Sequence, residues 1–163
     1  MRHALLRRCA VLTAALGLAL GAAAPAATAT APAPRANAPI TVTLTVQGPT
    51  STVFDGSIST TGHDVTTASG GTHKCDGTNN GANPTPGATP TAALDDAAQQ
   101  QNFTWDGTWY PSFEDYFVST IAGHTGDATA YWNISVNGTS TPVGGCQFRI
   151  NPGDEVAFTW TEL

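Results

Sequence analysis

The sequence predicts an α+β fold, mainly β-sheet with one helix, in a single disulfide-bonded domain. Three observations carry this expectation. Residues Ile40 to Gln47 alternate apolar and polar with a strict period of two. Thr91 to Gln101 is the one good helix-forming stretch after the leader. Setting the leader aside leaves a pair of cysteines, Cys75 and Cys146, which in an exported chain reads first as a disulfide.

The leader comes first. Met1-Arg2-His3 and the pair Arg7-Arg8 precede an apolar run from Ala10 to Leu20, and small residues follow with A-x-A patterns at Ala24-Pro25-Ala26 and Ala27-Thr28-Ala29. A charged start, a short apolar centre and a small-residue cleavage zone are the three parts of a secretory signal. The run is shorter than the roughly 20 residues a bilayer span requires. Residues 1–29 therefore read as a signal peptide and 30–39, TAPAPRANAP, as an Ala/Pro-rich extended spacer. The domain is expected over 40–163, with secretion as the localisation and a monomer as the state.

In the first strand, Ile40, Val42, Leu44 and Val46 face one way and the intervening Thr and Gln the other. Gly48-Pro49 ends it. Thr52 to Ser59 is a second strand, with Asp55-Gly56 read as an interrupting turn or bulge. Gly70 to Pro90 is dense in Gly, Asn and Pro and reads as a long surface loop pinned by Cys75. The helix follows, with Thr91 as its cap and Asp95-Asp96 near its start. Phe103 to Tyr110 reads as two short strand pieces around an Asp106-Gly107 hairpin turn. Tyr116 to Ile121 fits strand or helix, with strand favoured; Tyr131 to Val136 reads as a strand, Asn137-Gly138 as a turn, and Gln147 to Ile150 as a short strand. Asn151-Pro152-Gly153-Asp154 turns into the last strand, whose inward face is Val156, Phe158 and Trp160.

Charge excludes one class of partner. Beyond residue 29 only Arg35, Lys74 and Arg149 are basic against twelve acidic residues, a net charge of −9. Nucleic acid and anionic membrane both demand a basic footprint, so neither is an expected partner.

The order Tyr131-Trp132, Val136-Asn137-Gly138, a glycine stretch, Pro152-Gly153-Asp154-Glu155-Val156 and a Trp-containing last strand resembles a bacterial family of secreted uncharacterised domains. That family is related to the C-terminal β-domain of transcobalamin and intrinsic factor. Thr91-Ala92-Ala93-Leu94 resembles its helix start, and Ile121-Ala122-Gly123 its I-x-G strand end. The resemblance covers roughly Ile40 to Leu163. It implies a β-grasp-like sandwich with a helix on a mixed sheet, and a module that binds something. The chain departs from the vitamin carriers in having no helical-barrel domain. Its HKCDGTNNGANP loop and cysteine pair resemble a secreted actinobacterial branch.

Catalytic patterns are sparse. The histidines beyond the leader, His63, His73 and His124, lie in loop-like contexts, and no Ser occupies a G-x-S-x-G elbow. Asp95-Asp96 and Glu114-Asp115 are adjacent pairs, which point apart on a helix or a strand, and such acids are commonly solvated. A Cys/His zinc site with His73 beside Cys75 lacks two further ligands and any CxxC spacing. Asp76-Gly77-Thr78-Asn79-Asn80-Gly81 matches the front half of a calcium loop, with Asp76, Thr78 and Asn80 as candidate ligands. Gly87 stands where the bidentate Glu belongs, so no cofactor is expected and calcium is the alternative. Trp105, Trp109 and Tyr110 are the candidate ligand-binding aromatics, with a satellite core as the competing reading; Trp132 and Trp160 read as core. Sequons at Asn102, Asn133 and Asn137 depend on the host. The functional expectation is a secreted, non-enzymatic binding module for an unidentified small molecule, glycan or protein. A small secreted hydrolase acting through acids is the alternative.

Overall fold

A computed structural model describes residues 36–163; the signal-peptide assignment lies outside them. β1 (Ile40–Gln47) and β2 (Thr52–Thr60) form an antiparallel hairpin. β3 (His63–Thr67) and β4 (Gly71–Cys75) form a second. A single 3-10 turn, Asn79–Gly81, and the helix α1 (Pro90–Gln101) follow. Next come β5 (Trp105–Tyr110), β6 (Asp115–Ile121) and the short β7 (His124–Thr125). β8 (Ala130–Val136), the short β9 (Thr139–Ser140) and β10 (Glu155–Glu162) complete the chain.

β1 pairs in parallel with β10 and antiparallel with β2, at the heart of a five-stranded sheet ordered β2-β1-β10-β8-β9. A first hairpin and a last strand meeting in parallel at the centre, with a helix between them in sequence, is a grasp-like arrangement. The alternation in β1 does what its period requires: Val42, Leu44 and Val46 are buried while Thr41 and Thr43 face out. Val156 and Phe158 of β10 and Trp132 and Val136 of β8 enter the same core.

α1 is buried on most of its surface, and its alanines are the reason. Ala92, Ala93, Ala97 and Ala98 carry little bulk, so the helix lies close against the sheet with Leu94 as its one large anchor. Its cap is Thr89, whose hydroxyl accepts from the Ala92 N–H at 3.2 Å, and not Thr91, which is the buried second residue of the helix. Pro90 stands at the first helical position, where no N–H is needed.

The three-stranded sheet β5-β6-β7 has its own small core. Val65, Tyr116, Cys75 and Cys146 are buried together, with Trp105 and Trp109 packed against them. The expected disulfide is present, Cys75–Cys146, with the sulfurs 2.08 Å apart. The Tyr116 hydroxyl reaches the Val65 carbonyl at 2.9 Å and that of Gly71 at 2.7 Å, tying β6 to both strands of the second hairpin.

The structure corrects several local expectations. The stretch from Gly70 to Pro90 is not all loop: β4 opens it, and Gly87 to Pro90 are buried. Asp55-Gly56 does not interrupt β2, pairing in register with Thr45 and Leu44, and the register shift falls further along, between Val46 and Gln47 opposite Val53. Asp106-Gly107 makes no hairpin turn. β5 runs through it with a register irregularity, and the chain reverses at Pro111–Glu114 instead. Gln147 to Ile150 is turn and coil, because its backbone N–H groups bond locally and to Ala88.

Candidate functional site

Alternation along β5 and β6 separates two sets of aromatic side chains. Trp105 and Trp109 point with Tyr116 into the small core, meeting its ring edge-on at 5.9 and 4.9 Å. Trp109 also stacks on His73 at 4.0 Å, and the Trp105 indole N–H donates to Asp95 at 3.0 Å. Both tryptophans are thus half-buried in the satellite core. Tyr110 and Phe117 point the other way, into solvent. Of the three candidate aromatics, the structure keeps Trp105 and Trp109 together and separates Tyr110 from them.

Tyr110 belongs to a groove of about 550 Å³ at the free end of the β5–β6 hairpin. Phe113, from the hairpin turn, and Phe117 line it beside Tyr110, and Pro142, Val143 and Gly144 form the facing wall. Tyr110, Phe113, Phe117 and Val143 are 47%, 62%, 50% and 42% exposed, four of the five large hydrophobic side chains left exposed among the described residues. Scattered exposed hydrophobics are ordinary; convergence of most of them on one concavity is not.

The floor of the groove holds a carboxyl group. Asp115 is 5% exposed and faces the Cys146 N–H, which lies 3.1 Å from each of its oxygens; the Tyr116 N–H donates to it at 2.8 Å. Burial pushes its pKa up to about 6, against the pull of the backbone donors from Cys146, Tyr116 and Gln147. Gly144 passes so close that a Cβ there would lie 2.2 Å from Asp115 Oδ2. The glycine at 144 is therefore what allows the wall to approach the carboxyl. Among the described residues the ion pair is His63–Asp95, so no cationic side chain of these residues pairs with Asp115.

The surrounding loops hold the groove in shape. Gln147 donates its side-chain amide to the Phe113 carbonyl, joining the turn to the facing wall. Asn79 Nδ2 donates to the Glu114 carbonyl at 2.6 Å and to that of Lys74 at 2.8 Å, and the Asn80 N–H donates to the Glu114 carboxylate. The disulfide fixes Cys146 immediately behind Asp115.

The calcium-loop candidates are engaged locally. Asp76 Oδ1 accepts from the Thr78 N–H at 2.9 Å and the Thr78 hydroxyl at 2.5 Å, so Asp76 and Thr78 close a turn on each other. Asn80 is exposed with φ of 54°, and its backbone serves the hairpin turn. Among the described residues no group of three or more His, Cys, Asp or Glu side chains is arranged to hold a metal.

Both acidic pairs depart from the solvated expectation. Asp95 is 7% exposed in mid-helix and accepts from Gln99 at 2.6 Å and from Trp105, with His63 Nε2 at 3.3 Å. The other ring nitrogen of His63 lies 3.0 Å from the Thr61 carbonyl, so both nitrogens are engaged. The hydrogen bond to Asp95 raises the His63 pKa above 6.5, against a smaller lowering by burial. This His–Asp pair serves as a joint between α1, β3 and β5. Asp115, the residue the sequence offered only as half of an adjacent pair, is the buried groove side chain that reasoning from sequence missed. Its neighbours Phe113 and Phe117 at alternate positions were the available signal.

Taken together, these features define a disulfide-linked, mainly β-sheet domain with one helix and an apolar groove floored by a buried carboxyl. Residues 87–162 match the family described as Domain of unknown function (DUF4430). That span takes in α1, the β5–β6 hairpin, both walls of the groove and β10, and leaves out β1 to β4 and Cys75. None of the curated proteins matches the chain.

Proposed function

We propose that this protein is a secreted, non-enzymatic extracellular binding module whose ligand is a small molecule seated in the Tyr110–Phe113–Phe117–Val143 groove. The observation that carries the reading is the gathering of four exposed apolar side chains on one concavity. A volume of about 550 Å³ suits a small molecule, within the range of roughly 300–1,000 Å³ typical of ligand pockets. The signal-like leader, the disulfide and the net charge of −9 after cleavage support export. The resemblance to the C-terminal β-domain of transcobalamin and intrinsic factor supports binding over catalysis, since that domain covers a ligand in the vitamin carriers.

The test is a thermal-shift screen of the oxidised protein against corrinoids, glycans, calcium and small amphipathic molecules. A ligand present at 100-fold over its Kd adds about 2.7 kcal/mol and raises the midpoint by several degrees. The reading expects a shift that Phe117→Ala abolishes. A shift that Phe117→Ala leaves intact, but Asp76→Ala removes, would move the site to the calcium-like loop.

One observation favours a hydrolase as the second reading. A carboxyl held at about 6 in an apolar cleft has the pKa a general acid needs. Turnover of a glycoside or ester panel, lost in Asp115→Asn, would support it and displace the binding module.

A further inference from the structure

The groove combines two chemical features. Its rim is aromatic and its floor is a buried carboxylate. Tyr110, Phe113 and Phe117 present three aromatic side chains to a space whose floor is Asp115. Aromatic rings attract cations through the negative potential of their faces, and this attraction grows as water is excluded. A carboxylate at 5% exposure is largely desolvated and keeps its charge at a cost unless a positive partner comes to it.

The protein supplies no such partner among the described residues. The described basic side chains are committed or remote: Arg149 donates to the carbonyls of Thr85 and Pro86, at 2.8 and 2.9 Å, and Lys74 stands exposed on β4. The donors that do reach Asp115 are three neutral backbone N–H groups, from Cys146, Tyr116 and Gln147. Two carboxylate oxygens have about four acceptor sites, so these bonds leave capacity for an incoming group.

Resting on the reading of the groove as a binding site, we infer that its ligand is a small organic cation of the alkylammonium class, with its charged head over Asp115 and its alkyl groups among Tyr110, Phe113 and Phe117. The cavity and its chemistry argue for this class over its rivals. A hard metal ion wants several oxygen ligands, commonly six or more for calcium, whereas the groove offers one carboxylate among carbon-rich walls. An anion would meet Asp115 in a region without a basic side chain. A neutral apolar molecule would fill the walls and leave the carboxylate desolvated and unpaired.

The geometry at Gly144 agrees with this assignment. Its approach to Asp115 Oδ2 leaves no room for a side chain, so the wall and the carboxylate meet without an intervening group. Close backbone approach keeps the floor small and the charge at a fixed point of the groove.

The experiment compares choline with 3,3-dimethylbutan-1-ol, its neutral isostere, by calorimetry and by amide-shift NMR on the oxidised protein. The inference expects choline to bind at least tenfold more tightly, with shifts centred on Tyr110, Phe113, Asp115 and Phe117. Asp115→Asn should reduce that preference to less than threefold. Phe117→Ala, at an exposed position where folding is not at risk, should weaken choline at least fivefold. Equal binding of the two probes at the groove would overturn the cation assignment and leave the binding-site reading standing. Shifts that fall elsewhere and ignore Phe117→Ala would overturn both.

Discussion

The buried carboxyl makes stability fall as pH rises, and replacing it should remove that dependence. In the unfolded chain Asp115 titrates near 3.8; in the folded protein burial holds it up to about 6. Between those values the folded state keeps a proton that the unfolded state has released, so stability is greatest below pH ~3.8 and is lost as pH rises through about 6. A difference of roughly two units at 1.36 kcal/mol each amounts to about 3 kcal/mol. The side chain is 5% exposed, so solvent screening removes little of it. Asp115→Asn puts a permanently neutral group in the same place. Urea unfolding of both proteins from pH 4 to pH 7.5 gives the difference in stability at each pH. Contributions from Asp96, whose pKa burial also raises, and from Asp106, whose pKa the Ser69 hydrogen bond lowers, are common to both and cancel. Across this range, which begins just above the unfolded value, the wild type should lose roughly 2 kcal/mol of that relative to the variant, most of it above pH 4.5. A difference that stays within 0.5 kcal/mol at every pH, on the order of an ordinary surface substitution, would refute the burial of an ionisable Asp115.

Three further predictions concern the frame around the groove. Gly62→Ala places a Cβ 2.5 Å from the Gly87 carbonyl oxygen and 2.7 Å from Asp76 Cα, backbone atoms that cannot step aside, and should cost about 1–3 kcal/mol in urea unfolding. Reducing the Cys75–Cys146 bridge, or replacing both cysteines by Ala, opens a closure 71 residues apart in sequence and should lower stability by about 4 kcal/mol; the same change should release the Cys146 N–H from Asp115, read as a shift of that amide resonance. His63, raised above 6.5 chiefly by its hydrogen bond to Asp95, adds stability that is fully present below pH 6.5 and lost as pH rises through its folded value. The disadvantage of His63→Gln should therefore shrink between pH 6 and pH 8.5 in the same unfolding assay.

Period and punctuation made the main sheet and helix legible. The alternation of Ile40–Gln47, Tyr131–Val136 and Val156–Trp160 maps onto β1, β8 and β10 because one face of each is buried and the other is not. The second hairpin escaped the same logic. His63–Thr67 offers only Val65 and the polar Thr67 to the interior, and Gly71–Cys75 only its cysteine, so their pairing rests on tertiary support from the disulfide and the Tyr116 hydroxyl. The Asp106-Gly107 misreading has a similar origin. Glycine at 107 answers close packing, with the Phe117 carbonyl 3.0 Å from where a Cβ would stand, and not a turn.

The site was only partly visible for a related reason. Tyr110 stands out in the sequence as a candidate aromatic and lines the groove, yet the groove's two walls come from segments more than twenty residues apart in sequence. Phe113 lies in a turn and Val143 in a coil, where neither period nor motif marks a residue as exposed. Trp105 and Trp109 drew attention through size, but size favours burial, and the sheet turns both inward on Tyr116. The burial of Asp115 depends on Gly144 and Cys146 closing over it, a contact between residues 29 and 31 positions apart that sequence spacing does not encode.

The central claim is that the groove at the end of the β5–β6 hairpin is where this protein meets its ligand. The most direct test is amide NMR of the labelled, oxidised protein titrated with a small aromatic and alkylammonium fragment set. Shifts should concentrate on Tyr110, Phe113, Asp115, Phe117, Val143 and Gly144, and vanish in Phe117→Ala. Shifts that concentrate instead at Trp105 and Asn102, or along Asp76 to Asn80, would contradict the claim and place recognition elsewhere on the fold.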